Sequence, residues 1–170
     1  MLTLGIDPGR SGALAWVDFD HATASPMQRP RLVEVQDMPI KLIRGKYKVD
    51  AAEIAAMVRR LMPGIIAIEG VGSRPGEGHV GAFSFGYCAG LLEGVGAGLG
   101  VTVRILPAAS WKRYAGVPSD KDECRRVARG RWPEFRDFFS RGKDHDRADA
   151  ALLAEWAAKN LRINKSLRIH

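Results

Sequence analysis

A chain of 170 residues, 46% of them hydrophobic and 26% charged, is long enough for one domain with a real core and too apolar to be disordered. No apolar run can span a bilayer and the first strand lacks the basic start and cleavage site of an export signal. Two cysteines without CxxC spacing, Cys88 and Cys124, read as free buried thiols of the cytoplasm, not as a zinc site.

The net charge of +7 comes in blocks: residues 41–60 carry +4 and residues 101–147 carry +5, while residues 1–40 and 61–100 carry −2 each. That alternation suits a polyanion whose phosphates lie on Lys and Arg while a cation sits among acids. A pI of 9.8 tilts the partner toward nucleic acid.

In chain order, residues 2–7 read as a strand that ends in Asp7 and turns at once through Pro8, Gly9 and Gly12 into a second strand, 13–19. A third strand is expected at 31–37, then a basic loop holding Lys41, Arg44, Lys46 and Lys48. Asp50 looks like the N-cap of a helix over 51–62, stopped by Pro63-Gly64. Residues 65–68 are a continuous β-branched run, the pattern of a strand buried on both faces, and it ends in Glu69. A glycine-rich loop with Arg74 follows.

Residues 80–98 read as a helix in which Gly86, Gly90, Gly94 and Gly98 recur every fourth position. Glycine costs about 1 kcal/mol against alanine inside a helix, so the stripe predicts close approach of another backbone, either the protein's own sheet or a second subunit's equivalent helix. A strand at 101–106, a short helix with Trp111, Lys112 and Arg113, and a basic helix from Ser119 through Arg129 follow. The last helix, to about residue 160, opens with Asp144-His145-Asp146-Arg147-Ala148-Asp149. Asp146 and Asp149 are three apart and share one face, which Ala150, Leu153 and Ala157 continue into the core.

Asp7 and Glu69 repeat one logic: a buried strand, an acid, then glycines. Adjacent strands ending at one level would set the two carboxylates side by side, and a divalent cation would relieve their repulsion. The bland alternatives are a turn acid for Asp7, a strand-end acid in water for Glu69, and complementarity to a helix N-terminus for Asp146 and Asp149.

The pieces Gly5-Ile6-Asp7-Pro8-Gly9, Ala67-Ile68-Glu69, the helix around Phe85-Gly86, and Asp146-Arg147-Ala148-Asp149-Ala150 span almost the whole chain. Their order resembles the RNase H-like nucleases, and their detail resembles RuvC-type Holliday-junction resolvases. Arg74-Pro75-Gly76 and Trp111-Lys112 resemble the compact bacteriophage branch. The resemblance implies one α/β domain over 1–170: a mixed five-stranded sheet, its first three strands antiparallel and the rest parallel, with helices on both faces.

It further implies that Asp7, Glu69, Asp146 and Asp149 are catalytic and hold two Mg²⁺ ions, with Asp7 bridging them and Mn²⁺ able to substitute. Lys112 and Lys121 fall where the family has lysines on phosphate. Gly86, Gly90 and Gly94 fall where it forms a two-fold homodimer. Arg74, Phe83, Phe85, Trp111, Arg125 and Lys46 join the two lysines as expected contacts to branched DNA, the partner implied alongside the second copy; no membrane or organic cofactor is expected. The implied setting is a bacterial cell, with a phage as a possible source of the gene. One departure stands out. The aromatic residue that bacterial members carry three positions after the catalytic Glu is here Gly72, so base stacking at the junction falls to Phe83, Phe85 or Tyr87, or is absent. The competing readings are an RNase H-like nuclease for other branched DNA or RNA–DNA hybrids, a non-catalytic DNA-binding module, and an actin-like nucleotide-binding protein.

Overall fold

The structure, a computed structural model, describes residues 1–22, 25, 28–70, 78–117 and 120–162. Strands β1 (Leu2–Asp7), β2 (Ala13–Asp18) and β3 (Arg31–Asp37) lead into a hairpin of β4 (Ile40–Ile43) and β5 (Lys46–Val49). Then come α1 (Ala51–Leu61), β6 (Ile65–Gly70), α2 (His79–Gly98), β7 (Thr102–Pro107), α3 (Ala108–Ala115), α4 (Lys121–Arg131), 3-10 turns at Pro133–Phe139 and Gly142–Asp144, and α5 (His145–Asn160). The main sheet has the order β3-β2-β1-β6-β7. β2 is antiparallel to β1 and β3, and β6 is parallel to β1 and β7. The mixed five-stranded sheet expected from the sequence is therefore present.

Local chemistry explains the boundaries. The Asp50 carboxylate accepts hydrogen bonds from the backbone of Ala52 and Glu53, capping α1, and Met62 leaves it in the left-handed region at φ 48°. Asp120 caps α4 through Asp122 and Glu123 in the same way. The basic stretch after β3 is not a loop. It forms a hairpin because Arg44 and Gly45 both take positive φ, 48° and 75°, which is the two-residue turn that matches strand twist.

The two faces of the sheet are unlike. One presents Leu4, Ile6, Leu14, Trp16, Ile66 and Ile68 to α1 and α2. The other presents small residues, Ala13, Ala15 and Ala67, to α5, and α3 and α4 close over that core with Trp111, Cys124 and Ala128. Gly5 lies on this second face. A Cβ there would overlap the carbonyl oxygen of Ala150 and lie 2.7 Å from the backbone nitrogen of Ala154. The axis of α5 thus rides directly on β1, and the helix is buried nearly all round through Ala148, Ala150, Ala151, Leu152, Leu153, Ala154, Ala157 and Ala158.

The glycines of α2 divide the same way. Gly96, which is off the stripe, packs on the sheet: a Cβ there would run into Val103 and come within 3.0 Å of Ile66. Gly86, Gly90, Gly94 and Gly98 face open space, with nothing within 4 Å of a Cβ. Of the two readings left open for the stripe, the protein's own sheet is excluded.

Gly5→Ala should therefore lower stability by about 3 kcal/mol, at the upper end of overpacking costs, because both opposing atoms are backbone and cannot turn aside. At about 2–4 °C per kcal/mol for a chain of this size, a thermal melt will resolve it. An unchanged Tm would mean that α5 does not rest on β1 as described.

Candidate active site

Strand alternation puts Asp7 on the same face as Gly5, and Glu69 on the same face as Ala67. Gly5 pairs with Ala67 and Ile6 with Ile68 across β1 and β6, so the two acids sit one step further along, at the sheet edge under α5. The contact of Ala150 and Ala154 with Gly5 then sets the first turns of α5, with Asp146 and Asp149, over that edge.

The electrostatics follow from this packing. Asp7 is held well above the ordinary carboxylate range, first by burial, then by the negative charges of Glu69, Asp146 and Asp149, and by a side-chain hydrogen bond with Asp146. Four acids from three elements thus act on one another. Asp149 is also raised, mainly by burial, while the Cys124 thiol and the Lys112 ammonium pull it back. One of its oxygens, Oδ1, is buried without a hydrogen-bond partner.

Neighbouring groups orient the acids. The indole Nε1 of Trp111 donates to Glu69 Oε1 at 3.2 Å. Lys112 Nζ lies 4.0 Å from Asp149 Oδ2 and 5.1 Å from the centre of the Trp111 ring. His145 Nδ1 faces the Gly142 carbonyl at 2.9 Å, and its Nε2 is 2.8 Å from Asp146 Oδ1. Burial and the Asp149 charge push the Cys124 thiol up to about 12, so it stays protonated as a donor to Asp149. Arg147 Nε and Nη2 reach both oxygens of Asp37, at 2.6 and 2.7 Å, and so pin the start of α5 to the end of β3. Trp111, Cys124, His145 and Arg147 are supports that spacing alone does not reveal; the signal available for Arg147 was its place inside the Asp-x-x-Asp motif.

The donor set fits a hard divalent cation: carboxylate oxygens, one of them buried and unpartnered. Among the described residues, no three Asp, Glu, His or Cys side chains are already drawn together as a metal cage. Glu69, Asp146 and Asp149 nonetheless all act on Asp7 at one edge.

The other expected contacts separate. Trp111, expected on DNA, is fully buried and serves Glu69 instead. Arg125, also expected on DNA, is 16% exposed and is spent on Asp122 and the Ser140 carbonyl. Phe83 is 75% exposed and stacks near Tyr87, with ring centres 6.5 Å apart. Phe85 reaches the turn behind Asp7, its Cε1 lying 3.7 Å from where a Cβ of Gly9 would be. Lys46 is exposed on the β4–β5 hairpin, and Lys121 opens α4. Arg74 and Gly72 lie outside the described residues. No helix among the described residues is long and apolar enough to cross a membrane.

No protein-family model matches the chain. A curated relative, the chloroplastic Holliday junction resolvase MOC1 of Chlamydomonas reinhardtii, is 34% identical over 85 residues, which is 49% of this chain and 10% of that protein. The chain thus spans about a tenth of the length of the curated relative it matches. Thermus thermophilus RuvC superposes with a TM-score of 0.64, both alone (20% identity) and with a Holliday junction substrate (18%), over 94% of this chain and 96% of that one. The fowlpox virus resolvase in complex with Holliday junction DNA superposes at 0.58 with 12% identity, over 94% of this chain and 99% of that one. At such identities the likeness is one of fold, and the chain has the RNase H-like fold of the RuvC structures.

Because the folded state raises Asp7, its ionisation costs stability: that stability is full below about pH 4, the unfolded value, and is lost as pH rises through the folded value. In EDTA, Asp7→Asn should raise Tm at pH 8, and the gain should shrink towards zero near pH 4. A lower or equal Tm at pH 8 would contradict the shared burial of the four acids.

Proposed function

We propose that this chain is a structure-selective DNA endonuclease that resolves four-way junctions by metal-dependent phosphodiester hydrolysis. The observation that carries the reading is the mutual electrostatic coupling of Asp7 with Glu69, Asp146 and Asp149 at one sheet edge of a RuvC-type fold. The resolvase relative and the two junction-bound neighbours support the substrate class. The Trp111-Lys112 pair supports a phage-like branch, and a bacterial cytoplasm is the matching setting.

In this reading Asp7, Glu69, Asp146 and Asp149 hold two Mg²⁺ ions, for which Mn²⁺ substitutes. Bound there, the ions supply Lewis acidity at the phosphate and a nucleophilic water at neutral pH. The chain's own residues do the rest. Trp111 fixes the Glu69 carboxylate, Cys124 and Lys112 hold Asp149, and His145 holds Asp146. The Lys112 ammonium, 24% exposed beside the acids, can also meet a phosphate oxygen and stabilise charge that grows in the transition state. Arg147 keeps the α5 acids over β1 while the substrate is handled. Hydrolysis would leave a 5′-phosphate and a 3′-hydroxyl, ends that a ligase can seal.

The open glycine face of α2 supports a two-fold dimer, in which two such sites would cut two strands of like polarity. A residue larger than glycine at its centre is harmless to the monomer, since a Cβ at Gly90 meets nothing within 4 Å. Gly90→Leu should therefore leave the fold intact, as read by circular dichroism, and convert dimers to monomers in sedimentation velocity. A monomeric wild type would refute the dimer.

The decisive experiment compares a four-way junction, a flap, a linear duplex and an RNA–DNA hybrid with Mg²⁺ and with Mn²⁺. Paired symmetric nicks in the junction are expected. Asp7→Asn should lower cutting by at least about 100-fold, since even groups behind a metal's ligands are worth 10–100-fold, while junction binding persists or tightens. Selective cleavage of the hybrid by a monomer would instead favour an RNase H-like activity, and an Asp7→Asn variant that still cuts would overturn the site.

A further inference from the structure

We propose that the β4–β5 hairpin is a second contact to branched DNA, with Lys46 and Lys48 on phosphates and the Leu42–Tyr47 pair against bases opened at the branch point. The proposal rests on the junction-endonuclease reading above and names a specificity element for it.

The hairpin is rooted where the acids are. In register across the sheet, Asp7 pairs with Ala13 and Ala13 with Asp37, so the end of β3 lies about 10 Å from Asp7 along the same edge. Met38 N donates to Gly12 O, fastening the first leg to that edge, and Asp50 N donates to Pro39 O, closing the second leg onto the first, each at 2.8 Å. The free part rises about 14 Å from there, given four residues per strand.

Register divides the hairpin into two faces. Ile40 pairs with Val49 and Leu42 with Tyr47 on one face; Lys41 pairs with Lys48 and Ile43 with Lys46 on the other. At the root the apolar face is used, because Val49 is buried with Met38 and Ile54. Further out it is not: Leu42 is 61% exposed and Tyr47 56% exposed. A two-stranded hairpin has little stability of its own, so two large apolar groups held out on one are costly unless something covers them.

The charge on the opposite face says what does. Residues 38–49 contain Lys41, Arg44, Lys46 and Lys48 and no acid. Lys41 is paired with Asp50, whereas Arg44, Lys46 and Lys48 make no ion pair among the described residues. An apolar protein partner would not need the field of Arg44, Lys46 and Lys48, which a polyanion would neutralise. Duplex phosphates complement the basic face, and bases unstacked at a branch complement a tyrosine and a leucine. Tyr47 thereby supplies the aromatic contact that Gly72 cannot.

The test uses a synthetic four-way junction with 2-aminopurine at the branch, and a linear duplex of equal length, in Ca²⁺ so that binding is read without cutting. Tyr47→Ala should weaken junction binding by about 5- to 150-fold, abolish the fluorescence rise at the branch, and leave duplex binding and Tm unchanged. Tyr47→Phe should behave like wild type. Lys46→Ala with Lys48→Ala should weaken junction and duplex alike and reduce the salt slope by about 2. If wild type prefers and cuts junctions while Tyr47→Ala binds and opens them equally well, the hairpin proposal fails and the endonuclease reading stands. If wild type neither prefers nor cuts junctions, the endonuclease reading fails and the hairpin proposal with it.

Discussion

The contact between the backbone of α5 and Gly5 is the constraint on which the site depends. A helix that carries two acids must be set over a strand that carries a third, and the usual helix–sheet gap filled by Val or Leu would hold them apart. Here one strand position has no side chain and the facing helix positions are alanines, so backbone meets backbone. Because side chains alternate along a strand, the residue that admits the helix and the acid it must reach are two apart on the same face. The small-residue face of the sheet and the position of the carboxylates are therefore one feature.

That closeness has an electrostatic cost. Four acids are brought together, and burial with the neighbouring negative charges raises the proton affinity of Asp7 and Asp149, which lie mostly out of water. The surrounding groups are matched to this load. Trp111 and the protonated Cys124 offer neutral donors, Lys112 offers a charge, and none of them cancels the site outright. The ion pairs beyond it secure the framework: Arg147 to Asp37 ties α5 to β3, and Arg131 to the buried Glu155 ties α4 to α5. Trp111, Lys112 and Cys124 are thus sequence-distant from the acids they support and mostly buried, whereas His145 and Arg147 come from the acidic motif itself.

This explains which parts were legible in the sequence. The strand pattern around Asp7 and Glu69 and the helical spacing of Asp146 and Asp149 are local signals, and the sheet follows from them once β6 is read as a doubly buried strand. The helix cap at Asp50 is equally local. The hairpin was missed because its alternation of Lys with apolar residues looks like a solvated loop unless Arg44-Gly45 is read as a tight turn with positive φ at both residues. The resemblance implies Trp111 as a DNA contact, and only packing shows its ring under Lys112 and its N–H on an acid 42 positions away. The Arg125 contact to the Ser140 carbonyl is equally hidden from sequence, since Ser140 closes a 3-10 turn that no periodicity announces.

The glycine stripe of α2 shows how sequence and structure divide the labour. Sequence reasoning establishes the cost: four glycines inside a helix, at about 1 kcal/mol each against alanine, lower its intrinsic stability by about 4 kcal/mol. It cannot say what offsets that cost. Structure removes one answer, because Gly86, Gly90, Gly94 and Gly98 have open space where a Cβ would stand, whereas Gly96 packs against the sheet. A helix so weakened on its exposed side is held from below by Cys88 and Leu92, which are buried in the sheet's other core. In the dimer proposed above, a second backbone would come closer on the outer side than a Cβ would permit, the same device, used between molecules, that Gly5 supplies within one.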